Sequence, residues 1–482
     1  MTTRPASTSP LRRAIAPLLE AHPGLDGVYA LHEGRSAFAA RILLADTAQR
    51  SLDLQYYIWH GDRTGTLLFD AVRRAADRGV RVRLLLDDTN TWGVETLLAT
   101  LDAHANIEVR LFNPLRPPRW RLLGVLTDFR RLNRRMHNKS FTADGAATIV
   151  GGRNIGDEYF EAGEDVDFAD LGVLAVGPVV TEVQGLFERF WESRHSVPLA
   201  MLFSAARHAA RVDLGARAAE IEREPATVEY RRVLRLTTLE QDLLAGALPF
   251  EWARVRLVAD EPVKLDRPPE SVTMNASLRS ALGVPQRALQ VISSYFVPTP
   301  GGVWAFAALA RQGVRVQVLT NALEATDVAA VHAGYAKYRR PLLRAGVTLF
   351  EWRSHDSAPG RLFRRRGFVP AAAASLHAKA FAVDGERAYV GSFNLDPRSA
   401  ALNTEMGFVI DSPALAGGIA RAFEARVPQA AYEVRLAPDG RSLRWVERTP
   451  EGDVIHTREP GAGLARRAFV RVLSWLPVEW LL

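Results

Sequence analysis

His137-Asn-Lys-Ser-Phe-Thr-Ala-Asp-Gly-Ala-Ala-Thr-Ile-Val-Gly-Gly-Arg-Asn154 returns, 377 − 137 = 240 residues later, as His377-Ala-Lys-Ala-Phe-Ala-Val-Asp-Gly-Glu-Arg-Ala-Tyr-Val-Gly-Ser-Phe-Asn394. Histidine, lysine, aspartate, glycine and asparagine keep every internal interval. One such pattern is a motif in need of context, whereas two in one chain are hard to obtain by chance. The repeat therefore predicts a duplicated molecule whose two copies build one site at a pseudo-two-fold interface.

Within each copy the residues after the lysine read as strand, Asp-Gly turn and strand: Phe141 to Ala143, Asp144-Gly145, then Thr148-Ile-Val, and again Phe381-Ala-Val, Asp384-Gly385, then Ala388-Tyr-Val. Histidine and lysine at a spacing of two share one face of the first strand. The likeness extends upstream. Leu52 to Trp59 reads as a strand, Leu67 to Arg78 as an amphipathic helix and Gly79-Val-Arg-Val-Arg-Leu-Leu-Leu as a second strand. Leu289 to Val297, Val303 to Gln312 and Gly313-Val-Arg-Val-Gln-Val-Leu-Thr repeat that order at an offset of 313 − 79 = 234. The expected fold class is α/β: two α/β/α sandwich halves related by a pseudo-two-fold axis, each a sheet covered by helices on both faces.

A chain of 482 residues suits two or more domains, and the repeat divides it into an N-terminal half, 1–245, and a C-terminal half, 246–482. The stretch Leu199 to Pro285, rich in Arg and Glu, is the expected connector. Past the second cassette, Tyr432 to Trp445 and Val454 to His456 read as a small meander with Pro-Asp-Gly and Pro-Glu-Gly turns, and Leu464 to Leu482 as a basic, apolar helix.

Hydrophobic residues at 48% and charged residues at 24% argue against disorder. The absence of cysteine excludes disulfide frameworks, thiolate catalysis and cysteine-ligated metal. A formal charge of +7 favours anionic partners such as phosphodiesters, nucleic acid or an acidic membrane surface. The N-terminal apolar run is too short for a secretory signal, and no stretch approaches the ~18 apolar residues of a spanning helix, so membrane contact is expected to be peripheral.

The residue types point to phosphoryl chemistry. Histidine attacks phosphorus directly, splitting one hard displacement into two easier ones, and a second histidine protonates the leaving oxygen and later deprotonates the incoming one. Lys139, Lys379, Asn154 and Asn394 supply the cationic and amide donors for charge on the phosphoryl oxygens. A histidine in this role needs its other ring nitrogen held. Downstream of each cassette lies one candidate carboxylate: Asp170, 33 residues after His137, and Glu405, 28 after His377. Asp144 and Asp384, at turns, read as structural supports. No metal-ligand spacing is present, so neither metal nor cofactor is expected.

The cassette His-x-Lys-x4-Asp followed by Gly-Gly/Ser-x-Asn resembles the duplicated motif of the phospholipase D superfamily. The strings Arg134-Arg-Met-His-Asn-Lys-Ser, Gly151-Gly-Arg-Asn-Ile-Gly-Asp-Glu-Tyr-Phe160, Gly391-Ser-Phe-Asn-Leu-Asp-Pro-Arg-Ser399 and Asn403-Thr-Glu405 are similar to bacterial cardiolipin synthases, nearest to their type C branch, from about Gly34 to Leu482. The resemblance implies metal-independent phosphatidyl transfer through a phosphohistidine to the hydroxyl of phosphatidylglycerol. It makes His137 the nucleophile and His377 the general acid and base, an assignment that the symmetry of the cassettes leaves open. One departure is that Gly152 stands where the second cassette has Ser392, so the hydroxyl donor is missing on one side.

The implied substrates are phosphatidylglycerol and phosphatidylethanolamine, at the cytoplasmic face of a bacterial membrane, with nucleic acid disfavoured. Arg-aromatic stretches precede both histidines, Arg116 to Arg131 and Arg361 to Val369. They are expected to form a basic, apolar rim that rests on anionic lipid, with Trp475 and Trp480 adding interfacial anchors. Alternatives within the superfamily are a hydrolytic phospholipase D and a nuclease. A catalytically silent binding module is disfavoured by the intact histidines.

Overall fold

A computed structural model of the chain describes residues 9–115, 129–162, 167–203, 211–234, 238–266, 274–354 and 374–475. It divides into two compact units. The first is Met1–Gly163, Gly172–Pro268 and Asn403–Met406, and the second is Glu164–Leu171, Pro269–Leu402 and Gly407–Leu482. Each unit thus contains one short segment taken from the other half of the sequence.

In the first unit β1 (Ser51–Tyr56) leads through α1 (Arg63–Asp77) to β2 (Arg81–Asp87), which lies parallel to it in the register Ser51↔Arg81 to Tyr56↔Leu86. α1 starts four residues ahead of its expected apolar face. The Asp62 carboxylate accepts from the Gly65 N–H at 2.9 Å and caps the first turn. β3 (Ser140–Ala143), β4 (Ala147–Gly151) and β5 (Gly172–Val176) add in turn as antiparallel neighbours, so the centre of the sheet runs β5-β4-β3-β1-β2. Asp26–Leu31 flanks β5, and Ile107–Phe112 flanks β2. Helices Gly34–Thr47, α1 and Pro178–Trp191 pack on this sheet. Arg83, 8% exposed, ties β2 into these layers: it lies 2.7 Å from Asp53 and from Glu188, and over the rings of Phe187 and Trp191.

The second unit repeats the scheme. β6 (Ala288–Ser293), α2 (Thr299–Arg311) and β7 (Arg315–Asn321) form the parallel crossover, and β8 (Lys379–Val383), β9 (Arg387–Gly391) and β10 (Met406–Ile410) complete the order β10-β9-β8-β6-β7. The expected meander is three strands, Ala431–Leu436, Leu443–Thr449 and Gly452–His456. It is not a separate piece, because its first strand pairs with Thr348–Trp352 and so lengthens the second sheet. An unpaired edge would leave backbone groups without partners, which the added strands relieve.

The Leu199 to Pro285 stretch is built into the units rather than strung between them. Helix Leu214–Arg223 packs on α1 through buried Leu214 and Ala218, and Glu251–Ala253 pairs with Asp26–Val28. Helix α3 (Leu464–Leu473) is the last described element, and residues 476–482, including Trp480, lie outside the described residues.

The Asp-Gly turns join β3 to β4 and β8 to β9. Asp144 (φ 54°) and Gly145 (φ 58°), like Asp384 (φ 56°) and Gly385 (φ 69°), are consecutive left-handed residues, the conformation that suits a tight hairpin in a right-twisted sheet. Glycine adopts it without strain, and aspartate more readily than most residues.

Candidate active site

His137 lies three residues ahead of β3 and His377 two ahead of β8, so the histidines stand on the approach to the first cassette strand rather than on its face, and both are almost wholly buried: His137 is 8% exposed and His377 7%. In the first unit the parallel bridge Met136↔Thr404 holds the backbone before β3. The His137 N–H donates to the Thr404 carbonyl at 2.9 Å, and the Thr404 N–H donates to the Arg135 carbonyl at 2.9 Å. That short ladder delivers Glu405. Its Oε2 lies 2.8 Å from His137 Nδ1. In the second unit Asp167–Ala169 pairs parallel with Ala374–Leu376, the His377 N–H donates to the Ala169 carbonyl at 2.8 Å, and Asp170 Oδ2 lies 2.6 Å from His377 Nδ1.

The carboxylate pairing is therefore crossed. Reading along the chain associates Asp170 with the cassette of His137 and Glu405 with that of His377, but the structure exchanges them. The separations are 207 residues for Asp170 and His377 and 268 for His137 and Glu405. Each carboxylate opens a strand of its own sheet, and the residues just ahead of it cross to pair with the backbone leading to the opposite histidine.

A carboxylate accepts, so each Nδ1 carries the proton. Asp170 Oδ1 accepts from the Leu171 N–H at 2.6 Å. The backbone of Glu405 is fixed by Asp260: the Asp260 N–H donates to the Glu405 carbonyl at 2.9 Å, and the Glu405 N–H donates at 3.1 Å to the Asp260 carboxylate, which pairs with Lys264 at 2.8 Å. An aromatic ring borders each imidazole, Tyr57 edge-on at 5.0 Å from His137 and Phe168 tilted at 5.2 Å from His377.

The lysines fold back over their own histidines. Lys139 Nζ donates to the His137 carbonyl at 2.7 Å, and Lys379 Nζ donates to the His377 carbonyl and to Ser294 Oγ at 3.1 Å. Lys139 and Lys379 are each 1% exposed. Asn154 Oδ1 accepts from the Ile58 N–H at 3.3 Å and Asn394 Oδ1 from Ser294 Oγ at 3.0 Å, so each amide is oriented by the loop after β1 or β6. Ser392 is fully buried, beside Asn394 in the same loop.

Asp144 and Asp384 lie on the turns, away from the histidine ends of their strands. Asp144 accepts from the N–H groups of Gln49, Arg50 and Ser51, and Asp384 from those of Gln286, Arg287 and Ala288. Burial pushes the Asp384 carboxyl up, but the three backbone donors outweigh it and hold the group below the usual carboxylate range.

Two further residues escape a reading of the cassettes. Asp87 ends β2 and its carboxylate accepts from the Met136 N–H at 2.9 Å and from Arg135 at 3.2 Å. Asn321 ends β7 and clasps Leu376 twice, accepting from its N–H at 3.0 Å and donating to its carbonyl at 2.9 Å. Both side chains fasten the residue before a cassette histidine, and 321 − 87 = 234, the offset already seen at Gly79 and Gly313. That shared offset was the available signal. The Arg-aromatic rims fall on 116–128 and 355–373, so Trp120, Leu123, Phe363 and Phe368 lie outside the described residues. Among the described residues no group of three His, Cys, Asp or Glu side chains is placed to hold a metal ion.

A duplicated mixed sheet presenting a buried histidine–carboxylate pair in each copy defines a phospholipase D-like protein. The family described as cardiolipin synthase, PLD-like domain, matches the chain twice, over residues 42–191 and 278–427, and the chain belongs to that family. It is 46% identical to cardiolipin synthase C of Escherichia coli (strain K12) over 475 residues, 98% of this chain and 99% of that protein. An uncharacterized protein of Helicobacter pylori (strain ATCC 700392 / 26695) is 31% identical over 465 residues, 94% of this chain and 88% of that protein. In fold the chain is similar to phosphatidylserine synthase of Haemophilus influenzae Rd KW20, with a TM-score of 0.58 at 15% identity, covering 88% of this chain and 92% of that one.

Proposed function

We propose that this chain is a cardiolipin synthase-like phosphatidyltransferase in which both histidines act on one phosphodiester. His137 Nε2 attacks the phosphorus of a donor phospholipid, phosphatidylglycerol or phosphatidylethanolamine. The bond from phosphorus to the headgroup oxygen breaks as His377 delivers its Nε2 proton to that oxygen, releasing glycerol or ethanolamine and leaving phosphatidyl-histidine. His377 then takes the proton from a hydroxyl of phosphatidylglycerol, whose oxygen attacks phosphorus, freeing His137 and forming cardiolipin.

Glu405 and Asp170 keep the proton on Nδ1 and stabilise each imidazolium as it forms. Lys139, Lys379, Asn154, Asn394 and Ser392 balance the phosphoryl charge, while Asp144 and Asp384 shape the turns. The reading places the reaction at the membrane surface, on its cytoplasmic face. The basic charge suits such a surface, and no described helix is long and apolar enough to cross a membrane.

The observation that carries the reading is the pair of buried histidines, each with a carboxylate on Nδ1. The test is to incubate the protein with labelled phosphatidylglycerol, with and without phosphatidylethanolamine, in EDTA, and resolve the lipids by mass spectrometry. Cardiolipin is expected, together with loss of turnover in His137→Ala and in His377→Ala. Phosphatidic acid as the main product would make the chain a hydrolase instead, and substantial residual turnover in either variant would break the shared-site scheme.

A further inference from the structure

The last described helix is mounted with its apolar side outward. α3 reads Leu464-Ala-Arg-Arg-Ala-Phe-Val-Arg-Val-Leu473, followed by Ser474 and Trp475. Its inner side is fixed to the second unit. Val470, 4% exposed, packs with Leu323, Ala333 and Ala462, Leu473 joins them, and Arg466 donates to the Thr326 carbonyl at 2.7 Å.

At 3.6 residues per turn the opposite side carries Leu464, Ala465, Ala468, Phe469, Val472 and Trp475. The four large ones stand 73%, 56%, 56% and 77% exposed for Leu464, Phe469, Val472 and Trp475. An ordinary surface helix turns its apolar stripe to the core and its charges to water. Here one small apolar patch faces the core, while the larger residues and a tryptophan point away. The helix contains three arginines, Arg466, Arg467 and Arg471, and no acidic residue.

We infer that α3 docks on an anionic lipid bilayer, its outer side entering the boundary between headgroups and acyl chains. Apolar residues on one side, arginine as the only charged residue type and an amphipathic indole at the end are what such a boundary selects. Charge complementarity separates this occupant from a second copy of the chain, because two copies meeting through α3 would set arginine against arginine around the seam. The inference rests on the phosphatidyltransferase reading only for the choice of lipid. Substrate lipids are then met by a surface already held at the bilayer, and α3 joins the body by side chains distinct from those around the histidines.

The test uses the full chain and a Phe469→Ser, Val472→Ser, Trp475→Ser variant, whose substitutions fall on exposed positions. Co-sedimentation is measured with vesicles of phosphatidylcholine alone and with vesicles containing phosphatidylglycerol, and turnover is measured in detergent–phosphatidylglycerol micelles. Removing three inserted apolar side chains is expected to weaken binding to the anionic vesicles by about tenfold or more, with micellar turnover unchanged. An Arg471→Glu variant is expected to lose affinity for anionic vesicles selectively.

Unchanged vesicle binding in the triple-Ser variant overturns the inference. So does a dimer that the same variant converts to monomer with no change in vesicle binding, which would assign the face to a second copy. Absence of micellar turnover in the unmodified chain would count against the transferase reading and leave the vesicle result to be judged by itself.

Discussion

At the scale of single residues, the proposed chemistry depends on what holds each imidazole. Replacing Glu405 by Gln or Asp170 by Asn keeps the shape of the partner but lets its amide donate toward Nδ1, which favours the wrong tautomer. In a comparable histidine–carboxylate pair this costs about 10⁴-fold in turnover. The expected outcome is a fall in kcat of about 10²–10⁴-fold in either variant with little change in KM, measured with phosphatidylglycerol in micelles. A preserved kcat in both would show that the carboxylates only stabilise the fold. Asp87→Ala and Asn321→Ala act one step further back, on the residue before each histidine. A smaller loss of kcat, about tenfold, with thermal unfolding shifted only modestly, distinguishes positioning from scaffolding.

At the scale of elements, the hairpin after each histidine is clamped by one aspartate. Asp144, 3% exposed, gathers three backbone N–H groups at the start of β1 and thereby ties the β3–β4 turn to the neighbouring strand. Asp144→Ala removes all three bonds at a part-buried site, where water can replace some of them, and hydrogen bonds to a charged group are worth about 1.5–3 kcal/mol each. Destabilisation of about 2–4 kcal/mol is expected in denaturant unfolding, and unfolding indistinguishable from the unmodified chain would show the turn to be held by other means.

This level was also the most legible in the sequence. The strand, Asp-Gly and strand pattern has a local cause, the φ preference of two residues. The crossed carboxylates have none. Nothing within a few residues of Glu405 encodes which histidine it meets, because partners separated by 268 residues are brought together by topology. Asp87 was hidden for a related reason. An aspartate at a strand end reads as ordinary turn chemistry until the strand beside it is known. The meander was legible as three strands but not as part of a sheet, since hairpin signals say nothing about which outer edge a strand will find.

At the scale of the whole molecule, the segment leading into α3 is tied to the second unit by buried charge. Glu459 lies 3.0 Å from His332 Nε2 and also accepts from Arg339, which in turn pairs with Glu351 at 2.7 Å. Burial would raise the Glu459 carboxyl, but the Arg339 charge and the His332 bond win and lower it from 4.5 to about 2. A depressed carboxyl contributes stability above its unfolded value and loses it as pH falls. Thermal stability is therefore expected to decline between pH 4.5 and about 2, and the decline to be smaller in Glu459→Gln, which is already destabilised near neutrality. Equal acid sensitivity in both proteins would mean that this carboxylate does not govern the transition.

The exchange of segments also sets an order of events during synthesis. A ribosome that has reached Pro268 has made His137, both of its strand neighbours and most of the first unit, yet Glu405 will be added only after 405 − 268 = 137 further residues. Until then the first histidine has no carboxylate on its Nδ1, and His377 itself is added only 377 − 268 = 109 residues after Pro268. On the proposed mechanism a nascent or prematurely terminated chain is thus unarmed, and the first histidine–carboxylate pair is completed only when residues 403–406 are in place.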